Sequence, residues 1–415
     1  MKTKLFFIAM LAVIGLSANA QWQFVGLDSN INVLAVKGDT IFAGTNGYGI
    51  YYSSNKGNSW TSVNTGLPWD SATNVYYSVS TFAIKGNNIF AGINDAGIFL
   101  SSNNGASWTS VNNGLLITNN ETYIYALAVI DSNIFAGISL NGEGVYLSTN
   151  NGGSWTAADS GLPPNGPLSF AIKGDSIFAG IEEQDIYLSS NNGGSWTAVN
   201  TGLPAQADVY SLAISGSNIF AGTNQGVYVS PNNGANWHLR NTSLTCFVDA
   251  FAVYGTNVFA GTEGGCGVYL TNDNGSTWTF VGLPSSYVTS LVISGNNLFA
   301  ATDDQGVFKI TLSELVGIKE ITNAGNIAVY PNPASAEIKV IGNQCSVNGI
   351  EIYNSLGEKV YQFVNSHSSL GILPTTNAPM TNAPITINIA DFPNGVYLVK
   401  LITANGAEVR KFVKE

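Results

Sequence analysis

The chain has 415 residues, with 15 lysines and arginines against 26 acidic residues, for a formal net charge of −11. That acidic balance argues against nucleic-acid partners. Only 10% of the residues are charged and 46 are glycine, and helix formers other than alanine are scarce, which leaves an all-β chain with many tight turns.

Residues 1–20 read as a secretory signal, with Lys2 and Lys4 as the charged start, Leu5 to Leu16 as the apolar run and Ala18-Asn19-Ala20 as the cleavage site. An apolar run of about a dozen residues falls short of the roughly 20 that span a bilayer. No other long apolar stretch follows, so no transmembrane segment is expected in the mature form. Export favours disulfides, and three cysteines allow at most one within the chain.

From residue 21 the chain is organised by an eight-residue box, Ser189-Ser190-Asn191-Asn192-Gly193-Gly194-Ser195-Trp196 in its plainest copy. The other copies begin at Ser53, Ser101, Ser148, Ser230 and Thr271 and end at Trp60, Trp108, Trp155, Trp237 and Trp278. Successive tryptophans lie 48, 47, 41, 41 and 41 residues apart, a period typical of four-stranded propeller blades. The unit from Val209 shows the parts. Strand a ends at a Gly216-Ser217 turn, and strand b reads Asn218-Ile219-Phe220-Ala221-Gly222. Strand c holds Val227-Tyr228-Val229, and strand d starts at Trp237 after the box.

Strands a and b recur seven times, from near Ile31, Ser80, Ile124, Leu168, Val209, Val248 and Val288, but there are only six boxes. The last unit stops after Gly306-Val307-Phe308-Lys309-Ile310 without its tryptophan strand. Trp22-Gln23-Phe24-Val25-Gly26-Leu27 matches Trp278-Thr279-Phe280-Val281-Gly282-Leu283, with Gln for Thr as the single change. The first strand after the signal is therefore expected to complete the last blade and protect its edge. An open solenoid is the competing arrangement, but it would call for polar caps.

The boxes resemble the Asp-box repeat of the neuraminidase and sortilin type, Ser-x-Asp-x-Gly-x-Ser/Thr-Trp, over residues 21–312. Asn replaces the Asp in five copies, Asp273 being the exception. The resemblance implies a structural role for the box tryptophans, on the blade periphery. It also invites comparison with sialidases, which hold the substrate carboxylate with three arginines. Arg240 and Arg410 are the chain's two arginines, which argues against that activity.

Residues 313–326 read as a linker. From residue 327 to 415 a second pattern of about seven short alternating strands fits a small immunoglobulin-like β-sandwich. Tyr330-Pro331-Asn332-Pro333, Gly395-Val396-Tyr397 and the terminal Lys411-Phe412-Val413-Lys414 resemble the C-terminal sorting domain of the type IX (Por) secretion system. The resemblance implies the type IX machinery as a partner, and a secreted or outer-membrane-surface location in a Gram-negative bacterium. Residues 376–384 depart from it as a proline-rich loop insertion.

Catalytic chemistry is sparse. His238, the one histidine of the propeller, sits beside Trp237 in the repeat, so a Ser/His/Asp arrangement is not expected. No zinc-ligand spacing or phosphate-cradling loop occurs. Carboxylate pairs of a glycosidase could be Glu182 with Asp185 or Asp303 with Asp304.

If strands alternate in direction, the b–c and d–a loops share one face, and the a–b turns and boxes share the other. Of the 18 acidic residues between 21 and 312, 13 fall on the first face, with no lysine or arginine. Asp95, Glu143, Glu182, Asp185, Glu263, Asp303 and Asp304, with Trp69, Tyr76 and Tyr123, are the candidate binding residues. Tyr48 and Tyr287 lie nearby. No cofactor is expected, with Ca2+ left open as an ion for these acidic loops. Cys246, before strand a of the sixth unit, and Cys266, before its strand c, are the disulfide candidates. Two strand spacings of about 9.6 Å exceed disulfide reach unless the loops bend inward. Cys345 is expected to remain a thiol. The sequence thus reads as an exported seven-bladed binding or adhesion module for protein or carbohydrate. A glycoside hydrolase and an assembly factor for a larger complex are the alternatives.

Overall fold

Each repeat folds as its turn chemistry dictates. In the fifth blade, Val209–Ser215, Asn218–Thr223, Gly226–Ser230 and His238–Leu239 pair in that order, each antiparallel to the next. The a–b connections are two-residue loops, and their first residue has positive φ in every blade, 60° at Gly38 and 51° at Asp131. Positive φ at that position alone is the type II′ hairpin pattern. The computed structural model describes residues 22–117, 122–139, 144–182, 185–205, 207–240, 244–283, 286–315, 327–330, 334–342, 347–354, 359–364, 385–393, 395–403 and 406–414. The signal, Cys345 and residues 376–384 lie outside these.

The chain divides into two compact units, Met1–Val316 and Gly317–Glu415. Among the described residues, the first unit holds seven four-stranded sheets and one small hairpin. Strand a of each sheet touches strand a of both neighbours, and the last, Val288–Ser294, touches the first, Ile31–Lys37. The ring is closed, so the open solenoid does not form. The b strands are sandwiched between blades, and their phenylalanines, from Phe42 to Phe299, are fully buried. The glycine closing the b-strand motif is required by close approach, because a Cβ at Gly44 would sit 2.7 Å from the Val79 side chain of the next blade.

The seventh sheet runs Gln23–Phe24, Gly306–Thr311, Asn297–Thr302, Val288–Ser294, so the first strand after the signal is its outer strand. Gln23 faces Lys309 and Phe24 faces Phe308, and the Val25 amide continues the ladder to the Val307 carbonyl at 2.9 Å.

One hydrogen bond repeats around the whole ring. In each blade the indole N–H of the tryptophan beside the outer strand donates to the carbonyl three residues after the equivalent tryptophan of the preceding blade. Trp60 reaches Val25, Trp108 reaches Val63, Trp155 reaches Val111 and Trp196 reaches Ala158, all at 2.7–2.8 Å. Trp237 reaches Val199, Trp278 reaches Arg240, and Trp22 closes the circle on Val281 at 2.9 Å. A buried indole needs such an acceptor, and here the neighbouring blade supplies it.

The boxes are tight hydrogen-bonded loops. The Asn191 side-chain oxygen accepts from Ser189 Oγ and the Ser195 amide, both at 2.9 Å, while its amide nitrogen donates to Ser195 Oγ. Asp273 keeps the first two contacts with Thr271 and Thr277, and the Thr277 hydroxyl donates to its second oxygen at 2.7 Å. Asn and Asp are therefore interchangeable, because the hydroxyl partner can accept or donate.

After the last blade strand, Leu312–Leu315 form one helical turn, with Leu312 buried and its amide on the Asn296 carbonyl at 2.9 Å. Among the described residues, the second unit has a three-stranded and a four-stranded sheet. Ile338, Val340, Ile350, Ile352, Val399 and Phe412 form its core. Tyr397 stacks on Phe412 and donates to the Pro393 carbonyl at 2.7 Å.

Candidate ligand-binding face

The two faces of the ring are built differently. On one, b–c loops are tied to the segments entering strands a: Asn46 to Asn30 at 3.0 Å, Glu263 to Phe247 at 3.1 Å and Asp303 to Tyr287 at 3.1 Å, each amide to carbonyl. On the other, lysines tie a–b turns to the next blade. Lys37 Nζ donates to the Asn87 carbonyl at 2.9 Å and to Asn104 Oδ1 at 2.6 Å. Lys85 makes the same pair of contacts with Ser132 and Asn151, and Lys173 with Ser217 and Asn233. Three lysines of the turn-and-box face are thus used in inter-blade contacts, while among the described residues no ion pair to a carboxylate of the b–c loop face occurs.

The aromatic side chains on the acidic face are partly exposed. Trp69–Asp70 and Val75–Tyr76 form a small hairpin between blades one and two, with the Trp69 and Tyr76 rings edge to face at 4.7 Å. Trp69 is 46% exposed and Tyr48, on the neighbouring loop, 58%. At the head of the third blade, Tyr123 is stacked on Tyr125 at 5.6 Å. Burial and then the charge of Glu182 raise the Tyr125 phenol above its ordinary range.

Across blades five to seven, Asp208, Tyr210, Asp249, Glu263, Tyr287 and Asp303 form a continuous cluster. The Tyr210 hydroxyl donates to Asp208 at 3.2 Å, Asn224 Nδ2 donates to the same carboxylate at 2.7 Å, and Tyr210 stacks on Phe247 at 6.3 Å. Tyr287 donates to Asp249. Burial, then the charge of Glu263, pushes the Asp249 carboxyl up to about 7. Burial and the surrounding carboxylates raise both phenols. Among the described residues, no three His, Cys, Asp or Glu converge closely enough to hold a metal ion.

Of the residues singled out from sequence, Glu263 and Asp303 enter this cluster, while Asp304 is exposed beside Gln305. Asp95 sits apart with φ of 62° and accepts from the Thr122 amide at 3.1 Å. Glu182 is exposed near Tyr125, and Asp185 opens strand c of the fourth blade. Glu143 lies outside the described residues. His238 is exposed on an outer strand. Sequence reading counted Asp208 and Asp249 among the acidic residues of this face but left them and Tyr210 out of the candidate set, because single polar letters in or beside strand a carry no motif. Cys246 and Cys266 form a disulfide with their Cα atoms 6.5 Å apart. Positive φ at Gly264, Gly265 and Gly267 bends the loop inward to that distance. On the opposite face, a groove of about 610 Å³ between blades one and two is lined by Lys37, Tyr52, Thr61 and Asn103, among others.

A ring of four-stranded sheets with one acidic, aromatic loop face, followed by a second β unit, defines a β-propeller with a C-terminal accessory domain. Residues 328–415 match the secretion system C-terminal sorting domain, and residues 176–297 match the DUF6242 beta propeller domain. The sorting domain marks the chain for export to the cell surface or the medium through the type IX machinery. No helix among the described residues is long and apolar enough to cross a membrane. No curated protein matches the sequence.

Solved structures share the fold at low identity. A GH74 xyloglucanase from Xanthomonas campestris is similar at 14% identity and TM-score 0.57, over 79% of this chain and 60% of that one. YCF48 from Cyanidioschyzon merolae is similar at 15% identity and TM-score 0.54, over 72% of this chain and 100% of that one. YCF48 bound to D1 peptide gives 14% identity and TM-score 0.54, over 71% and 97%.

Proposed function

We propose that the chain is an exported binding module whose ligand seats on the face made by the b–c and d–a loops. The observation that carries this reading is the sidedness of the ring. Carboxylates and exposed aromatic rings gather on one face, while Lys37, Lys85 and Lys173 are consumed in inter-blade contacts on the other. Such a face attracts cationic or amphipathic ligands and repels polyanions. YCF48, similar in fold, is known with a bound peptide, which is compatible with a loop face that takes protein segments.

A polysaccharide hydrolase is the second reading. It is favoured by Asp249, whose carboxyl is pushed up to about 7 by burial and then by the neighbouring Glu263, as the acid of a carboxylate pair would be.

Screening the exported chain against immobilised glycans and extracellular proteins, with Ca2+ or with a chelator, tests both readings. Binding that weakens with salt and with Asp303→Asn and Asp304→Asn together supports the first. Binding that maps to the boxes, or ignores these charges at all salt concentrations, refutes it. Release of reducing sugar, lost in Asp249→Asn, would establish the second.

A further inference from the structure

The propeller is rich in Asn-Gly pairs, with nine between residues 21 and 312. The pair is chemically labile, because a glycine leaves its amide nitrogen open to the asparagine side chain before it. Ring closure between the two needs a Gly N–H that can give up its proton, an Asn side chain that can turn back onto its own backbone, and access for solvent. Five of the pairs lie in the boxes, where the fold withholds these conditions. The amides of Gly105, Gly152, Gly193, Gly234 and Gly275 donate to the box Ser or Thr hydroxyl at 2.8–2.9 Å. All five glycines are buried. Asn104, Asn151 and Asn233 each accept from a lysine of the preceding blade at 2.6 Å, and Asn274 accepts from Asn218 at 2.8 Å.

Outside the boxes, Asn113 donates to the Gly153 carbonyl at 3.3 Å and Asn165 to the Glu182 carbonyl at 3.5 Å. The pair at 141 lies outside the described residues. Asn46, on the b–c loop of the first blade, differs from all of these. Among the described pairs of the propeller, it is the one with an exposed side chain that has no hydrogen-bond partner, followed by a Gly N–H that has no acceptor. The backbone on either side is held. The Asn46 amide donates to the Asn30 carbonyl at 3.0 Å, and the Gly47 carbonyl accepts from the Tyr76 amide at 3.0 Å. The reacting atoms between those two ties are therefore presented to solvent with nothing to restrain them.

We propose that Asn46 is a site of spontaneous covalent modification. The Gly47 amide nitrogen gives up its proton and attacks Cγ of Asn46, forming a new C–N bond. The bond from Cγ to the side-chain nitrogen breaks, and that nitrogen leaves with a proton as ammonia. Water then opens the resulting succinimide at either carbonyl, which leaves aspartate or isoaspartate at position 46. No oxidant, metal or second protein takes part. Either product adds a carboxylate to the loop face beside Tyr48. The isoaspartyl form also lengthens the backbone by one carbon between the Asn30 tie and the Tyr76 tie, and the latter seats the Trp69–Tyr76 hairpin. The chemistry is independent of what this face binds.

The test keeps the full exported chain warm at mildly alkaline pH in heavy-oxygen water and follows each Asn-Gly pair by peptide mass spectrometry. Position 46 should lose its amide, take up one solvent oxygen, and yield aspartate and isoaspartate together. It should react about fivefold or more faster than any box asparagine, the factor that one hydrogen bond of ordinary net strength supplies. The rate should rise with pH, because the Gly47 amide must lose its proton first. In denaturant the hydrogen bonds are gone, so the same pairs should react at similar rates. The proposal fails if position 46 keeps its amide while Asn113 or a box asparagine loses its own. It fails equally if aspartate forms without isoaspartate, which would mean direct hydrolysis without the ring. A preference for position 46 that persists unchanged in denaturant would show that the fold does not select the site, and would overturn the argument.

Discussion

Trp22 is the residue on which ring closure can be tested most directly. Trp22→Ala removes a half-buried indole that packs between the last two blades, and it leaves the Val281 carbonyl without its 2.9 Å donor. Full removal of a buried Trp costs about 3–5 kcal/mol, so half-burial gives about 2 kcal/mol. The lost hydrogen bond adds about 1 kcal/mol. The sum of about 3 kcal/mol corresponds to a melting temperature lower by about 5 °C for a domain of this size. Deleting residues 21–27 should cost more, several kcal/mol, because the Lys309–Phe308 ladder and the Val25 acceptor of Trp60 go with it. Thermal unfolding followed by circular dichroism on the parent, the point variant and the deletion gives the comparison. A deletion variant that melts with the parent would refute the claim that this strand closes the ring.

Three further outcomes follow from the geometry. Replacing Cys246 and Cys266 with Ser should lower stability by about 3 kcal/mol, the loop-closure value for a 20-residue separation, read from urea midpoints. Alkylation of both thiols without prior reduction would contradict the disulfide. Asn191→Asp should be neutral to within about 0.5 kcal/mol, since Asp273 makes the equivalent contacts, whereas Asn191→Ala should cost about 1–2 kcal/mol. Asp249, with its folded-state carboxyl at about 7 against an ordinary 3.8, binds its proton more tightly folded than unfolded. Stability should therefore fall by a few kcal/mol as pH rises from about 4 to about 7, and then level off. Asp249→Asn should flatten that slope, and an unchanged slope would show that another group is responsible.

Much of the architecture was legible because the box tryptophan is both a spacing mark and a packing group. Its period gave the length of a blade, the recurring strands a and b gave the number, and the likeness of Trp22–Leu27 to Trp278–Leu283 revealed where the missing strand would come from. The 48-residue spacing before Trp108 was legible only as length. The structure resolves part of it into the Trp69–Tyr76 hairpin, which two-residue strands of mixed polarity do not announce. The role of the lysines beside the a–b turns was not legible, because their acceptors Asn104, Asn151 and Asn233 belong to the next repeat, some 60 residues on. Asp249 was hidden for a related reason. Its partners Tyr210, Glu263 and Tyr287 come from three consecutive blades, so their proximity exists only once those blades pack together.

The split seventh blade also decides how the molecule carries load. In the other six sheets the last strand in sequence is the outermost, but the chain leaves the ring from Gly306–Thr311, which is bonded on both sides. Tension along that strand from the C-terminal side must slide it past Asn297–Thr302 and Gln23–Phe24 together, breaking several rungs at once. An outer strand peels away rung by rung under far smaller force. A propeller tethered by its C-terminal side and pulled through a bound ligand is thus gripped at a strand that resists shear.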